Sequence, residues 1–407
     1  MVEMTEPRLR ICLYYPWLYL TSGAERTIVE IARRSRHRVT IFTNEYQPDA
    51  TFPELKALDV RVLGRVSVKR SIGAVGAAAW RILSQRIDLT EFDALLVVCE
   101  GLGDLVALRH PDRPAFCLCL TPLRIAYDPV YRAQYLAGRP AWQRLVIGAG
   151  TLAFKGLDRL AWRRYQRIFP ISREIQGRIE AGGLASAERM QLLHPGIDDE
   201  RFRPAPVREK VFFVPGRIMW TKNLQLAIEA FRLFKARTGD SSWRLRIAGI
   251  VDRKSEPYLE QLRAQAAGDA AIEFVIRPDD ATLTAMYRDC FATLFTAFNE
   301  DWGLVMIEAM ASGKPVVALD RGGPREIVRH EHDGLLVAGE PQLFADAMLR
   351  LVEEDGLYDR LAANGPESAG RFGWPAFVAT LDDAIARECA GVPALHPPVL
   401  TSVEAGR

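Results

Sequence analysis

Short apolar runs alternate along this chain with longer stretches whose apolar positions recur at helical spacing. Leu9–Tyr15, Val39–Thr43, Val60–Leu63, Ala94–Cys99 and Ala115–Cys119 read as strands, and Gly23–Ala32 as an amphipathic helix between the first two. Strand, helix, strand at this spacing is a βαβ unit, which implies a parallel sheet covered by helices. Ile168–Ser172 and Met190–Leu193 are expected to be the last strands of this series. Phe202–Pro206 reads as a linker, because paired prolines stop both helix and ladder. A second series opens at Val211–Val214. Its expected helices are Leu224–Thr238 and Pro257–Ala267, and its strands Leu245–Ala248, Ile272–Val275, Ala292–Phe295, Val316–Ala318 and Leu335–Val337. Helices follow to Asn364, and a last one from Trp374 to Glu388 is expected to return to the first domain. The pattern predicts an α/β protein with domains at 1–203 and 207–372, helix 374–390 packing on the former.

Length agrees, since 407 residues exceed what one core usually holds. Charge separates the halves: residues 1–205 carry 30 Lys+Arg against 22 Asp+Glu, and residues 206–407 carry 23 against 29. Residues 131–168 stand apart, with Arg132, Arg139, Arg144, Lys155, Arg159, Arg163, Arg164 and Arg167 against Asp158 alone. Trp142, Leu145, Leu152, Phe154 and Trp162 are interleaved, so the stretch reads as a basic amphipathic helix suited to an anionic membrane surface. No nucleic-acid partner is expected. The start, Met1 to Arg10, lacks signal-peptide form, and no run of eighteen apolar residues occurs. Six scattered cysteines, with Cys117 and Cys119 two apart but no second ligand pair following, read as reduced core thiols rather than a zinc site. The proline-containing tail from Pro393 is expected to be mobile.

The chemistry concentrates in Ala297–Ala318. There a strand end, a polar turn, a helix and a glycine stop carry Glu300 and Glu308 eight residues apart. With a helix starting near Trp302, the free amides of Gly303 and Leu304 would form an anion site. The two glutamates would lie about 12 Å apart along the axis. Pro215–Asn223 directly follows a strand, at the carboxyl edge where open α/β sheets bind ligands. It offers Arg217 as a planar fork and Lys222 as a point charge, a combination suited to a diphosphate. Ser22–Glu25 holds the corresponding turn of the first series, where Gly23 permits close approach of a phosphate. Gly148–Ala153 fits a dinucleotide fingerprint, but no strand leads into it. Walker and H-E-x-x-H patterns do not occur.

Glu300-x7-Glu308 within Phe298–Ala318 resembles the signature of retaining glycosyltransferase family 4, and Gly322–Val328 resembles its usual companion. Gly23, Glu25, the His194–Asp198 turn, Arg217 and Lys222 fall where that family has similar residues. The resemblance implies the GT-B architecture, two Rossmann-like domains with parallel sheets facing across a cleft, and a nucleotide-sugar donor held mainly by the second. It implies that Arg217 and Lys222 hold the leaving diphosphate with the amides of Gly303 and Leu304, and that Glu308 accepts ribose hydroxyls. Glu300 would hold the transferred sugar, Gly23 would border the phosphate, and Arg277 would join the donor site. No metal or cofactor is expected. Leu120 stands where relatives carry a histidine, with Arg124 or Glu100 as substitutes, and Ile276 stands where they carry glycine. The expected activity is a retaining hexosyl transfer from a GDP-mannose or UDP-glucose type donor to a glycan or lipid-linked acceptor. Residues 121–128 lean toward mannose. Such an enzyme would serve polysaccharide or glycolipid assembly, in the cytoplasm or peripherally on the membrane's inner face. The alternative is a donor-binding protein without turnover.

Overall fold

A computed structural model describes residues 8–66, 72–198 and 200–390. The expectations for the extreme amino terminus and for the tail from Pro393 fall outside them. The chain forms two compact units, one running up to His194 and resuming at Pro375, the other spanning Pro195–Trp374.

The first unit contains strands β1 (Arg10–Tyr14), β2 (Trp17–Leu18), β3 (Arg38–Thr43), β4 (Glu45–Tyr46), β5 (Val60–Val62), β6 (Ala94–Glu100), β7 (Ala115–Thr121) and β8 (Tyr165–Pro170). Its helices are α1 (Gly23–Arg34), α2 (Ile72–Ser84), α3 (Arg124–Tyr127), α4 (Pro129–Leu136), α5 (Ala141–Trp162) and α6 (Arg173–Ala181). The main sheet is parallel, in the order β5-β3-β1-β6-β7-β8. β6 and β7 are buried almost throughout because helices cover both faces, which explains their unbroken apolar runs.

In the second unit, β9 (Val211–Pro215), β10 (Arg244–Gly249), β11 (Ile272–Ile276), β12 (Ala292–Phe295), β13 (Val316–Leu319) and β14 (Gly334–Val337) form a parallel sheet ordered β11-β10-β9-β12-β13-β14. Around it lie α7 (Leu224–Thr238), α8 (Glu256–Ala266), α9 (Asp280–Asp289), α10 (Leu304–Ala311), α11 (Pro324–Ile327), α12 (Pro341–Glu353) and α13 (Leu357–Ala369). Each unit therefore winds outward from its first strand, then reverses. The reversal points, β1/β6 and β9/β12, leave a crevice at the carboxyl ends of the strands.

Three expectations need correction, and one helix was not anticipated. The segment Phe202–Pro206 is not where the chain passes between units; the passage is at His194/Pro195. The reason is local: Phe202 packs edge-on against Tyr287 at 5.4 Å, and the buried Lys314 ammonium bonds the carbonyls of Ala205 and Val207. The proline segment is thus a strap of the second unit. Met190–Leu193 does not form a full strand; it runs beside β8 with one bridge, Met190 to Ile168, and backbone bonds from Gln191 N to Ile168 O at 2.9 Å and from Leu193 N to Pro170 O at 3.0 Å. Residues 131–168 are not one helix: Gly138 takes positive φ and divides α4 from α5, and β8 begins at Tyr165. Helix α2, rich in alanine and glycine, was not legible from periodicity.

The last helix, α14 (Trp374–Cys389), lies against α1 within the first unit. The buried Asp382 carboxylate accepts from Ser35 Oγ and Arg36 N, both at 2.8 Å, and so caps the chain leaving α1. Asp382→Ala leaves these donors unpaired; it should lower the unfolding free energy by about 1–3 kcal/mol, read as an earlier urea midpoint with unchanged far-ultraviolet circular dichroism.

Candidate functional site

The loops leaving β9 and β12 meet at the second reversal point. β9 ends in Pro215, and Gly216 then takes φ 129°, outside the reach of most side chains. Its carbonyl lies so close to Gly249 that a Cβ there would stand 1.7 Å from the oxygen. Gly216 N bonds Ala248 O at 3.0 Å and Ile218 N bonds Ile250 O at 2.9 Å, so the loop runs along the end of β10. Arg217 is half-buried, and no carboxylate among the described residues pairs with it. Lys222 ends a tight turn, Trp220–Lys222. Its carbonyl accepts from Thr296 Oγ1 at 2.9 Å, and Trp220 packs on Phe298 at 5.4 Å. These contacts fasten one loop to the other. The Lys222 ammonium pairs directly with Glu300.

Glu300 owes its position to a pair of glycines. Gly323 N bonds Glu300 O at 3.0 Å; a Cβ on Gly322 would come within 2.6 Å of that same oxygen, and one on Gly323 within 2.2 Å of Trp302 O. Trp302 is buried, donates to Pro195 O at 3.2 Å and meets Phe372 edge-on. The helix itself starts later than expected. Gly303 takes φ 119°, α10 runs from Leu304, and the first turn closes with Met306 N on Gly303 O. The amides of Leu304 and Val305 are therefore the open ones. The axial estimate of about 12 Å between the glutamates fails for the same reason, since only Leu304 to Glu308 is helical, about 6 Å.

Glu308 accepts from the Tyr287 hydroxyl at 2.6 Å. Tyr287 is fully buried, with Phe213 and Phe202 edge-on against its ring. Burial, then the facing carboxylate, push its hydroxyl well above the usual tyrosine range, so it remains a donor. Tyr287 was missed by the sequence reading, as were Thr296 and the Trp220–Phe298 contact; nothing in their spacing marks them. Arg277 leaves β11 with φ 54°, its amide on Gly249 O at 2.9 Å and its guanidinium on Val251 O at 3.3 Å.

The structure thus puts Arg217, Lys222, Glu300, Gly303, Leu304 and Arg277 on one sheet edge, with Glu308 one turn into α10. Gly23 belongs to the other unit, where it opens α1. There Ser22 Oγ contacts the buried Glu25, and Tyr15 donates to Glu100. Leu120 ends up buried near the end of β7, and Arg124 is held by Asp128 at 3.2 Å. Gly148–Ala153 lies inside α5, so the dinucleotide fingerprint has neither the strand nor the turn it requires.

Residues 197–368 match the sequence profile of the family described as "Glycosyl transferases group 1". A D-inositol 3-phosphate glycosyltransferase of Corynebacterium glutamicum is 32% identical over 225 residues, 50% of this chain and 54% of that protein. One of Frankia alni is 34% identical over 211 residues, 47% and 51%. The chain thus spans about half the length of the curated relatives it matches. Among solved structures, Anabaena HepE with UDP and glucose superposes with a TM-score of 0.71 at 19% identity, covering 95% of this chain and all of that one. Sucrose-phosphate synthase of Thermosynechococcus elongatus gives 0.72 at 17%, covering 94% and 100%. The fold is the GT-B fold.

The glycine pair provides a test of how Glu300 is placed. Gly323→Ala should cost about 1–3 kcal/mol in thermal unfolding, because its methyl must displace the Trp302 carbonyl. Gly76→Ala, on open helix surface, should be neutral or gain up to about 1 kcal/mol.

Proposed function

We propose that this chain, whose residues 197–368 belong to the glycosyl transferases group 1 family, transfers a hexosyl group from a nucleotide sugar to a glycan or lipid-linked acceptor. The transfer proceeds with retention and without a metal. The observation that carries this reading is the Lys222–Glu300 pair, set beside Arg217, with which no carboxylate among the described residues pairs, and the open end of α10. Without ligand, Glu300 neutralises Lys222. A donor diphosphate takes over the Lys222 charge, joined by the Arg217 fork and the open amides of Leu304 and Val305. That exchange frees the Glu300 carboxylate for hydroxyls of the sugar. Cations aimed at the departing diphosphate stabilise the charge that develops as the glycosidic bond breaks. Glu308, its carboxylate steadied by Tyr287, receives the ribose hydroxyls. Gly23 and Arg277 are assigned to the donor as well, at the phosphate and the base. HepE, with UDP and UDP-glucose in its crystals, supports a uridine donor; the 121–128 segment supports GDP-mannose.

A second reading, donor binding without turnover, draws on Leu120, a buried apolar side chain where the family resemblance implies histidine. A thermal-shift panel of nucleotide sugars separates donors, since a ligand at a hundred times its Kd stabilises by about 2.7 kcal/mol. Turnover is then measured with the donor that shifts. Glu308→Ala should weaken donor binding, whereas Glu300→Ala should lower kcat about 10²–10³-fold and leave binding less affected. Wild-type kinetics in both variants would overturn the assignment; strong binding with no transfer to any acceptor would favour the second reading.

Helix α5 supports a membrane-surface location. Its buried residues, Thr151, Asp158, Ala161 and Trp162, define one face. The opposite face presents Trp142, Leu145 and Leu152, which are 62%, 75% and 73% exposed, together with Val146, Leu157 and Leu160. Arg144, Lys155 and Arg159 flank this stripe, a pattern that places an apolar face among acyl chains and cations at anionic headgroups. In vesicle co-sedimentation the protein should bind phosphatidylserine-containing liposomes, and Leu145→Ser with Leu152→Ser should weaken binding about tenfold or more. Equal pelleting of variant and wild type would exclude the helix as the contact.

A further inference from the structure

No second ligand pair follows Cys117 and Cys119 in the sequence, but the fold brings one from elsewhere. Alternate residues of a strand share a face, so both thiols point to the same side of β7. Cys99 lies opposite Cys119 in the β6–β7 register and joins them. The three sulfurs lie within 4.8 Å of one another, all fully buried. Asp104, from the 3-10 turn Leu102–Arg109 after β6, adjoins two of them, with Oδ2 2.7 Å from Cys99 Sγ and Oδ1 3.9 Å from Cys117 Sγ. The Tyr165 hydroxyl donates to Oδ1 at 2.6 Å. Asp104 is buried, and among the described residues no lysine or arginine forms an ion pair with it. Three converging thiols beside a buried carboxyl differ from the other buried cysteines, Cys12, Cys290 and Cys389, which belong to no such group.

We propose that Cys99, Cys117, Cys119 and Asp104 bind one zinc ion, a structural site that staples β6 to β7. Zinc–sulfur distances of about 2.3 Å put tetrahedral sulfurs about 3.8 Å apart, so small side-chain rotations bring the observed cluster to coordinating geometry. Three thiols and the carboxyl release their protons to solvent on binding. The total charge then equals that of a four-cysteine zinc site. Tyr165 is the outer hydrogen-bond partner that orients the oxygen ligand.

The test uses the full chain, purified without chelator and gel-filtered. Elemental analysis should find about one zinc per chain. Refolding from reduced, metal-free denaturant with cobalt(II) alone should give the red-region absorption of a tetrahedral ion with sulfur-to-cobalt charge transfer. Cys119→Ser should lower zinc content about fivefold or more, and Cys290→Ser should leave it unchanged. The wild-type cobalt spectrum decides the matter even where Cys119→Ser fails to fold. Zinc below about a tenth per chain without a cobalt spectrum, zinc retained by Cys119→Ser, or a disulfide among the three by mass spectrometry would each overturn the proposal.

Discussion

Backbone resting directly on backbone is the constraint from which the candidate site follows. At Gly249 over the Gly216 carbonyl, and at Gly322 and Gly323 over the Glu300–Trp302 turn, there is no room for a Cβ. The first contact presses the loop leaving β9 onto the end of β10. The second fixes a turn that would otherwise be free to swing about Gly303. Only with both loops pinned do Lys222 and Glu300 meet, with Thr296 Oγ1 and the Trp220–Phe298 contact holding them in register. Sterics come first here and electrostatics second.

Much of the architecture was legible because parallel strands buried on both faces write themselves as unbroken apolar runs, and because helices write a different period. What was illegible is instructive. Helix α2 is built from alanine and glycine, which carry little periodic contrast. Met190–Leu193 has strand-like composition and does follow β8, but its bonds to Ile168 and Pro170 stop short of a full ladder. The start of α10 was misplaced by two residues, since the positive φ of Gly303 is a backbone property that an apolar pattern does not display. The loops after β9 and β12 stood out through their cations and carboxylates. The groups behind them did not: Tyr287 under Glu308 and Thr296 on the Lys222 carbonyl come from distant segments and are visible only once the sheet is assembled.

Helix α5 shows the same limit from another side. Its sequence mixes apolar and basic residues along both faces, so composition alone leaves the buried face undetermined. The fold decides by taking Thr151, Asp158, Ala161 and Trp162 inward, which leaves the larger leucines outside. An interior that takes in Thr151 and Asp158 while leaving Leu145 and Leu152 outside is a departure from ordinary core formation.

The Lys222–Glu300 pair has a consequence for how the site responds to its medium. A cation exposed alone gathers mobile anions, and a phosphate that displaces them gains from their release, a gain that salt erodes. The neutralising partner of Lys222 is tethered to the same chain. A phosphate arriving there exchanges one fixed carboxylate for another anion and liberates nothing into solution. Ionic strength then acts on the difference between two ion pairs, so the salt response of this edge is carried chiefly by Arg217.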